Sequence, residues 1–238
     1  MVRRNAADNT RQEMAKKGPK VNAQVNESTL LSRIREALCE SLKNWQIVLM
    51  SHRERALSLA FANPVNRRIA EALPALAGPD AWLVSGCVFQ SIWNGLSGRA
   101  RDYGILDYDV FYCDPDTSYE AEDAVIRRCA EAFASLGVEV QVRNQSRVHL
   151  WYPQKFGRPF APVSSVEEAL RRFLAPACAI GVQLQDGAPR ILAPFGLDDV
   201  MGLRIRRNPM VGGASTQYDA KAARWKQVWP EITVDSWD

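Results

Sequence analysis

The chain has 238 residues, of which 47% are hydrophobic, so it is long enough and apolar enough to bury a large core. Its formal net charge is only +3. The first 27 residues carry six Lys or Arg against three Asp or Glu, which accounts for all of that charge and leaves the remainder formally neutral. This balance argues against a uniformly basic face that binds nucleic acid.

Cysteine usage and hydropathy indicate the cellular compartment. The five cysteines are scattered and include no Cys-x-x-Cys pair, so neither a disulfide framework nor a structural zinc site is expected. The N-terminus lacks the apolar segment of a secretory signal. The uncharged run 81–98 contains too many polar residues to span a bilayer. We therefore expect a cytoplasmic protein without a membrane partner.

The chain is predicted to begin with a tail. Residues 1–27 are polar and charged, and they hold almost no large apolar side chains. Such a stretch buries too little surface to offset the entropy of ordering, so we expect a disordered basic tail followed by one domain over residues 28–238. If this tail instead made the protein an RNA binder, removing it would abolish a salt-sensitive affinity for RNA.

Two helical segments are predicted next. The first begins at Ser28, which is available as an N-cap, and carries apolar residues at helical spacing up to Trp45. The second extends over Leu57–Leu73 and is interrupted at Asn63-Pro64, where proline favours the first turn of a new helix. Pro74, Gly78 and Pro79 are predicted to close this region.

The stretch after these helices has the strongest chemical features. A short apolar strand at 82–84 turns sharply at Ser85-Gly86-Cys87 and is followed by a helix and a charged loop. In the next predicted strand, residues 107–113, Asp107 and Asp109 project from the same face because strand side chains alternate. Two carboxylates this close repel each other, and a divalent cation such as Mg²⁺ between them relieves the repulsion.

A helix and a hairpin are predicted after that strand. The helix extends over residues 119–136, with a capping box formed by Thr117 and Glu120 and with Gly137 at its C-terminal end. Residues 138–143 alternate and predict a half-buried strand. A turn at 144–146 is then predicted to return the chain as a second strand over 147–152.

The predicted hairpin would collect polar groups on one face. Arg147 and His149 would lie there beside Glu139. Arg147 would suit phosphate oxygens, and His149 would suit proton transfer or binding of an acceptor. The alternative is a structural hydrogen-bond network that fixes the hairpin.

The last third of the chain is predicted to contain a helix, a hairpin and a final helix. Ser164-Ser165 precede a helix expected to reach Leu174, and Asp186-Gly187 is a strong hairpin-turn signal between two strands. The final helix covers Tyr218–Val228.

Several residues in the loop before the Asp pair and in the final helix have two interpretations. Asn94, Arg99 and Arg101 precede the Asp pair and would either approach phosphate or simply face water. In the final helix, the bases Lys221, Arg224 and Lys226 lie near Trp225 and Trp229. These tryptophans would either stack on nucleic acid or anchor the core, and core anchoring is the commoner role at this spacing.

Taken together, these stretches resemble the polymerase-beta-type nucleotidyltransferase superfamily. In particular the chain is similar to a family of bacterial nucleotidyltransferase-like proteins. The resemblance begins with the strand, turn, helix and Asp-x-Asp strand described above. It continues in three later blocks, RNQSRVHLWY at 143–152, APFGLDD at 193–199 and KAARWKQVWP at 221–230.

The resemblance implies an α+β domain of the nucleotidyltransferase fold, with a mixed central β-sheet flanked by helices. It implies that Asp107 and Asp109 bind Mg²⁺ or Mn²⁺, and that Glu139 is the third carboxylate, as general base or second-metal ligand. Glu139 as an exposed strand residue is the alternative.

The resemblance also assigns a phosphate-binding turn to Ser85, Gly86 and Cys87, together with phosphate or acceptor roles for Arg147 and His149. Because a thiol is a poor donor to phosphate, any contribution from this turn would come from Ser85 or the backbone. A simple strand-to-helix connection is the alternative interpretation of the turn.

We therefore expect a Mg²⁺-dependent nucleotidyltransferase that transfers a nucleoside monophosphate from an NTP to a small molecule, a protein or an RNA end. The alternative is an inactive nucleotidyltransferase fold that acts as a nucleotide-binding or protein-interaction module. The two hypotheses differ in whether Glu139 lies within metal-sharing distance of the Asp pair.

Overall fold

The computed structural model describes residues 29, 31–36, 50–157, 159–213 and 215–237. Contacts divide the chain into a unit of residues 1–49, of which 29 and 31–36 are described as helical, and a unit of residues 50–238. The predicted tail lies outside the described residues, as does most of the helix predicted to begin at Ser28. The fold and the site described below belong to the second unit.

Two helices open this unit. Helix α1 covers His52–Phe61 and helix α2 covers Pro64–Ala77. The predicted interruption between them is confirmed, since the Asn63 side chain caps α2 and proline occupies its first turn. The prediction that Pro74 helps close the region was wrong. The helix continues past it to Gly78, whose φ of 90° ends the helical backbone.

The centre of the unit is a five-stranded mixed sheet in the order β3-β2-β1-β4-β5, which confirms the predicted α+β class. Strands β2 and β3 are parallel, whereas β1 is antiparallel to β2 and β4, and β4 is antiparallel to β5. The strands are β1 Trp82–Val84, β2 Asp107–Tyr112, β3 Glu139–Asn144, β4 Gly181–Gln185 and β5 Ala188–Leu192.

Two helices connect the first three strands. Helix α3, Gly86–Leu96, follows β1, and helix α4, Tyr119–Phe133, followed by a 3₁₀ turn to Leu136, joins β2 to β3. The predicted stop at Gly137 is confirmed by its φ of 65°. The N-cap lies one residue later than predicted. The hydroxyl of Ser118, and not that of Thr117, accepts the N–H of Ala121.

The prediction of a hairpin after β3 was wrong. A 3₁₀ turn at Gln145–Arg147 leads directly into helix α5, Val148–Phe156. The physical reason lies in Asn144, whose side-chain oxygen accepts the N–H of Ser146 while its amide donates to the carbonyls of Asp114 and Asp116. Asn144 therefore starts a helix instead of turning a hairpin.

The prediction for the next helix was correct at its start and wrong at its end. Ser165 caps helix α6, Val166–Leu170, but the helix stops before Leu174. The buried amide of Asn208 donates to the carbonyls of Arg171 and Phe173, at 2.7 and 2.8 Å, and so holds this segment outside the helix.

The remaining elements largely follow the prediction. Asp186 and Gly187, with φ of 51° and 76°, form the two-residue β4–β5 turn. The final helix is confirmed and begins slightly earlier, at Ser215. The last elements are α7 Asp198–Met201, β6 Arg204–Ile205, α8 Ser215–Val228 and β7 Thr233–Val234, with β6 and β7 forming a small parallel sheet.

The main core lies between α3, α8 and the sheet, and tryptophans dominate it. Trp93 packs edge to face on Trp225 and Trp229, so both tryptophans of the final helix region anchor the core. The Trp229 indole donates to Asn94 at 2.9 Å, which fixes the start of the loop before β2. Within the described part of the chain, no helix has the length and apolar character needed to cross a membrane.

Candidate functional site

The turn between β1 and α3 has a strained backbone. Ser85 adopts φ 58° and ψ −121°, a conformation that L-residues rarely occupy, and its hydroxyl does not cap the helix. Its N–H donates to the carbonyl of Ile180. The next two N–H groups, of Gly86 and Cys87, have no backbone acceptor among the described residues. They form a helix N-terminus suited to an anion.

Cys87 faces the core and not a ligand. It is fully buried, and its thiol donates to the carbonyl of Val84 at 3.4 Å. Burial, together with the charges of Asp109 and Asp107, raises the pKa of the Cys87 thiol well above its ordinary value. The side chain of Cys87 is therefore buried and neutral and is not available to a ligand.

The parallel pairing of β2 and β3 brings three acidic residues to one face. Asp107 is the register partner of Glu139, and Asp109 is the partner of Gln141. Partners in a sheet project from the same face. The turn adjoins this face, since a Cβ placed on Gly86 would lie 3.8 Å from Oδ1 of Asp107. The sheet therefore gathers the predicted turn and the predicted carboxylates in one place.

Asp109 lies in an electrostatically unfavourable position. Burial, and then the charge of Asp107, raise its pKa to about 6, with a further small contribution from Glu139. Lys221 and Arg143 act in the opposite direction and do not cancel the rise. The carboxylate face thus holds more negative charge than its protein neighbours neutralise, which is the condition under which a bound cation is stabilising.

Glu139 differs from the two aspartates. Its carboxylate is exposed and accepts a hydrogen bond of 2.7 Å from Gln141. Over the described ranges, no group of three His, Cys, Asp or Glu side chains is arranged to hold a metal ion. The donor chemistry of Asp107 and Asp109 still fits Mg²⁺, which proteins commonly bind through one or two carboxylates plus substrate phosphates. A third carboxylate role for Glu139 stays a prediction.

A cavity of about 680 Å³ opens over this face, within the size range of small-molecule sites. Its polar end contains Ser85, Asp109, Arg143 and Lys221. Its apolar walls are aromatic and come mainly from β2, α5 and the segments around α6. They include Phe111, Trp151, Tyr152, Phe160 and Phe173. A ligand with a charged end and a flat apolar end matches this division.

Helix α5 contributes one face to the cavity. The lining residues Gln145, Val148 and Tyr152 recur at helical spacing. These lining residues were not predicted, because residues 144–152 were expected to form a turn and a strand. The available signal was the capping residue Asn144, followed by this spacing.

The two residues predicted to bind phosphate from this stretch lie elsewhere. Neither Arg147 nor His149 lines the cavity. The guanidinium of Arg147 donates to the carboxylate of Glu122 and to the carbonyl of Thr117, and the Arg147–Glu122 pair is almost fully buried. Arg147 therefore ties α5 to α4, as expected for a structural role.

The basic residues of the loop before β2 and of the final helix differ in whether they line the cavity. Arg99 forms an ion pair with Glu231, and Arg101 is exposed and does not line the cavity. On α8, Lys221 lines the cavity, whereas Lys226 donates to the carbonyl of Pro230 at 2.7 Å. Of these bases, Lys221 is thus the one placed beside Asp109.

Comparisons with known proteins agree with this arrangement. A family model described as nucleotidyltransferase matches residues 71–234, which include the turn, the Asp pair and Lys221. A solved NMR structure described as a CCA-adding enzyme head domain aligns with a TM-score of 0.62 and 23% identity, over 76% of this chain and 94% of that one. That likeness shows the fold. No curated protein matches the sequence.

Proposed function

This chain belongs to the nucleotidyltransferase family, and from that premise we propose that it transfers a nucleoside monophosphate from an NTP to the hydroxyl of an acceptor. The observation that carries the proposal is the meeting of three features at one end of a single cavity. These are the turn before α3, which lines the cavity through Ser85, the carboxylate of Asp109 with Asp107 adjoining the turn at Gly86, and the cation of Lys221.

The polar end of the cavity fits a triphosphate. The N–H groups of Gly86 and Cys87, which have no backbone acceptor among the described residues, would donate to the oxygens of one phosphate group, as helix N-termini do. Lys221 and Arg143 line the cavity on the side of Asp109 and would neutralise charge on the pyrophosphate as it leaves. These groups hold the donor while the acceptor oxygen attacks the α-phosphorus and the bond to pyrophosphate breaks.

Asp107 and Asp109 would hold a divalent cation, Mg²⁺ or Mn²⁺, against the phosphates. Such a cation supplies charge neutralisation at the phosphoryl oxygens and lowers the pKa of a bound hydroxyl. The raised pKa of Asp109, caused first by burial and then by Asp107, supports this assignment because the site carries unneutralised negative charge.

A second candidate is a family member without turnover that binds nucleotides or a partner protein. The observation that favours it is the position of Glu139, which is exposed and hydrogen-bonded to Gln141. An acceptor that is a small molecule, a protein hydroxyl or an RNA end is compatible with the first candidate. The CCA-adding description belongs to the structural neighbour and makes an RNA end worth including.

Pyrophosphate release from each of the four NTPs, with Mg²⁺ or Mn²⁺ and pooled acceptors, separates the two candidates. Asp107→Asn/Asp109→Asn is the test variant. Asp186→Asn is the control. It makes the same change from carboxylate to amide at the β4–β5 turn, where asparagine tolerates the positive φ of this position. Release that disappears only in the double variant supports transfer; nucleotide binding without release in the wild type supports the second candidate.

A further inference from the structure

The 3₁₀ turn before α5 carries a buried polar group that the transfer chemistry does not use. Gln145 is 4% exposed and lines the cavity between Arg143 and Val148. Among the described residues its amide nitrogen reaches the carbonyl of Arg143 alone, at 3.5 Å, the outer limit of a hydrogen bond. Buried carboxamides normally have their donors and acceptors paired. Gln145 therefore has hydrogen-bonding capacity left for whatever fills the cavity.

An ordered aromatic wall begins about two helical turns further along, at Tyr152. The rings of Tyr152 and Phe160 are 4.7 Å apart, and the Arg172 guanidinium lies 4.5 Å from the centre of the Phe160 ring. Arg172 is itself held by the carbonyl of Pro162 and by Glu168, both at 3.1 Å. This wall is thus fixed before any ligand binds, which limits the entropy lost on stacking.

Gln145 and the aromatic wall together fit a flat ring that carries hydrogen-bond donors and acceptors on its edge. An aliphatic ligand would use the aromatic wall and leave Gln145 unpaired, which is costly for a buried group. A nucleobase uses both, because its face stacks on aromatic side chains and its edge bonds to a carboxamide. Lys221 gives the direction, because it lines the cavity and its charge acts on Asp109, whereas Arg172 lies against the aromatic wall.

We propose that Gln145 and Tyr152 form the nucleobase subsite of this cavity, with the base stacked on Tyr152 and its edge bonded to the Gln145 carboxamide. The inference rests on the proposed function, since it takes the phosphates of the same NTP to lie at Lys221. Gln145 sets the choice among bases, and Tyr152 supplies stacking that every base shares.

The test compares a ligand with a base and one without. Equilibrium binding of ATP, GTP, CTP, UTP and inorganic tripolyphosphate is measured on the full chain with Mg²⁺. Tyr152→Ala is expected to weaken NTP binding by about 10-fold, in the range of one lost base stack, while tripolyphosphate binding is unchanged. Tyr152→Phe should restore NTP binding. Gln145→Met should reduce the differences among the four NTPs.

Leu150→Ala is the matched control, because Leu150 lies on the same helix, is exposed and does not line the cavity. Lys221→Ala tests the phosphate end and should weaken tripolyphosphate and NTPs alike. NTP affinities that Tyr152→Ala and Gln145→Met leave unchanged would overturn the nucleobase subsite and leave the proposed function standing. Failure of the wild type to bind any of the five compounds would overturn both.

Discussion

Asp107 and Glu139 are register partners on the parallel strands β2 and β3, yet their surroundings differ. Like charges side by side in a sheet destabilise it. Glu139 is exposed to solvent and accepts a hydrogen bond from the Gln141 amide, whereas Asp107 and Asp109 are both half-buried, and burial and the charge of Asp107 raise the pKa of Asp109 to about 6. The unrelieved charge therefore concentrates at the two aspartates beside the turn, and this concentration leads to the first prediction.

Asp109→Asn should stabilise the metal-free protein at neutral pH. The folded pKa of Asp109, about 6, lies above its ordinary 3.8 because of burial and Asp107. Between these values the folded state holds more protons than the unfolded state, so stability falls as pH rises through that window. The substitution should remove this decline and raise the free energy of unfolding at pH 7 by about 1–3 kcal/mol.

Urea denaturation in EDTA at several pH values from 4 to 7 measures this effect, with Asp186→Asn as the control. If Asp109→Asn were no more stable than the wild type at pH 7, the electrostatic account of the carboxylate face would be wrong.

Ser85→Gly should also stabilise the fold. The positive φ of Ser85 costs about 1–3 kcal/mol, and glycine removes that strain while losing somewhat more entropy on folding. We expect a net gain of about 1 kcal/mol by denaturant unfolding. Ser135→Gly, at an exposed position without a positive φ, should instead lose stability. A loss at both positions would mean that the turn is not strained.

Substitutions at Gly104 and Gly98 distinguish the cost of close packing from the cost of a left-handed backbone. Both have a left-handed φ, 72° and 67°, but a Cβ on Gly104 would lie 2.7 Å from Val228 and 2.9 Å from Trp229, whereas one on Gly98 would meet nothing within 4 Å. Gly98→Ala should cost about 1–2 kcal/mol, and Gly104→Ala about 1–3 kcal/mol more. Equal losses in thermal and denaturant unfolding would contradict the close packing of this loop on the end of α8.

Arg147 offers a test of structural against ligand-binding roles. Because it forms a nearly buried ion pair with Glu122, Arg147→Met should cost about 3–5 kcal/mol. Arg127→Met, which removes an exposed pair with Asp123, should change stability by less than about 1 kcal/mol. NTP affinity of folded Arg147→Met should equal that of the wild type. A selective loss of NTP affinity would restore the predicted phosphate role.

Local patterns were sufficient to predict the parts of the fold that local physics determines. Alternation placed Asp107 and Asp109 on one face, and the Asp186-Gly187 turn fixed the β4–β5 hairpin. The stretch after β3 was mispredicted because the role of Asn144 depends on carbonyls 28 and 30 residues earlier in the chain. The end of α6 depends in the same way on Asn208.

The candidate site shows the same limit. Its turn and carboxylates are near neighbours in sequence, and the resemblance to the nucleotidyltransferase superfamily joined them into one predicted site. Whether Lys221 and Gln145 face the cavity depends on how α8 and α5 pack against the sheet. For that reason the sequence placed Lys221 only among the bases near Trp225 and Trp229, and it indicated Arg147 and His149 instead of Gln145.

Manganese binding followed by electron paramagnetic resonance, with a non-hydrolysable NTP analogue, tests the central claim most directly. We expect the wild type and Asp186→Asn to bind Mn²⁺ with the analogue, and Asp107→Asn/Asp109→Asn to lose that binding while remaining folded. Mn²⁺ binding that is unchanged in the double variant, or absent from the wild type, would contradict the assignment of this face as the metal and nucleotide site.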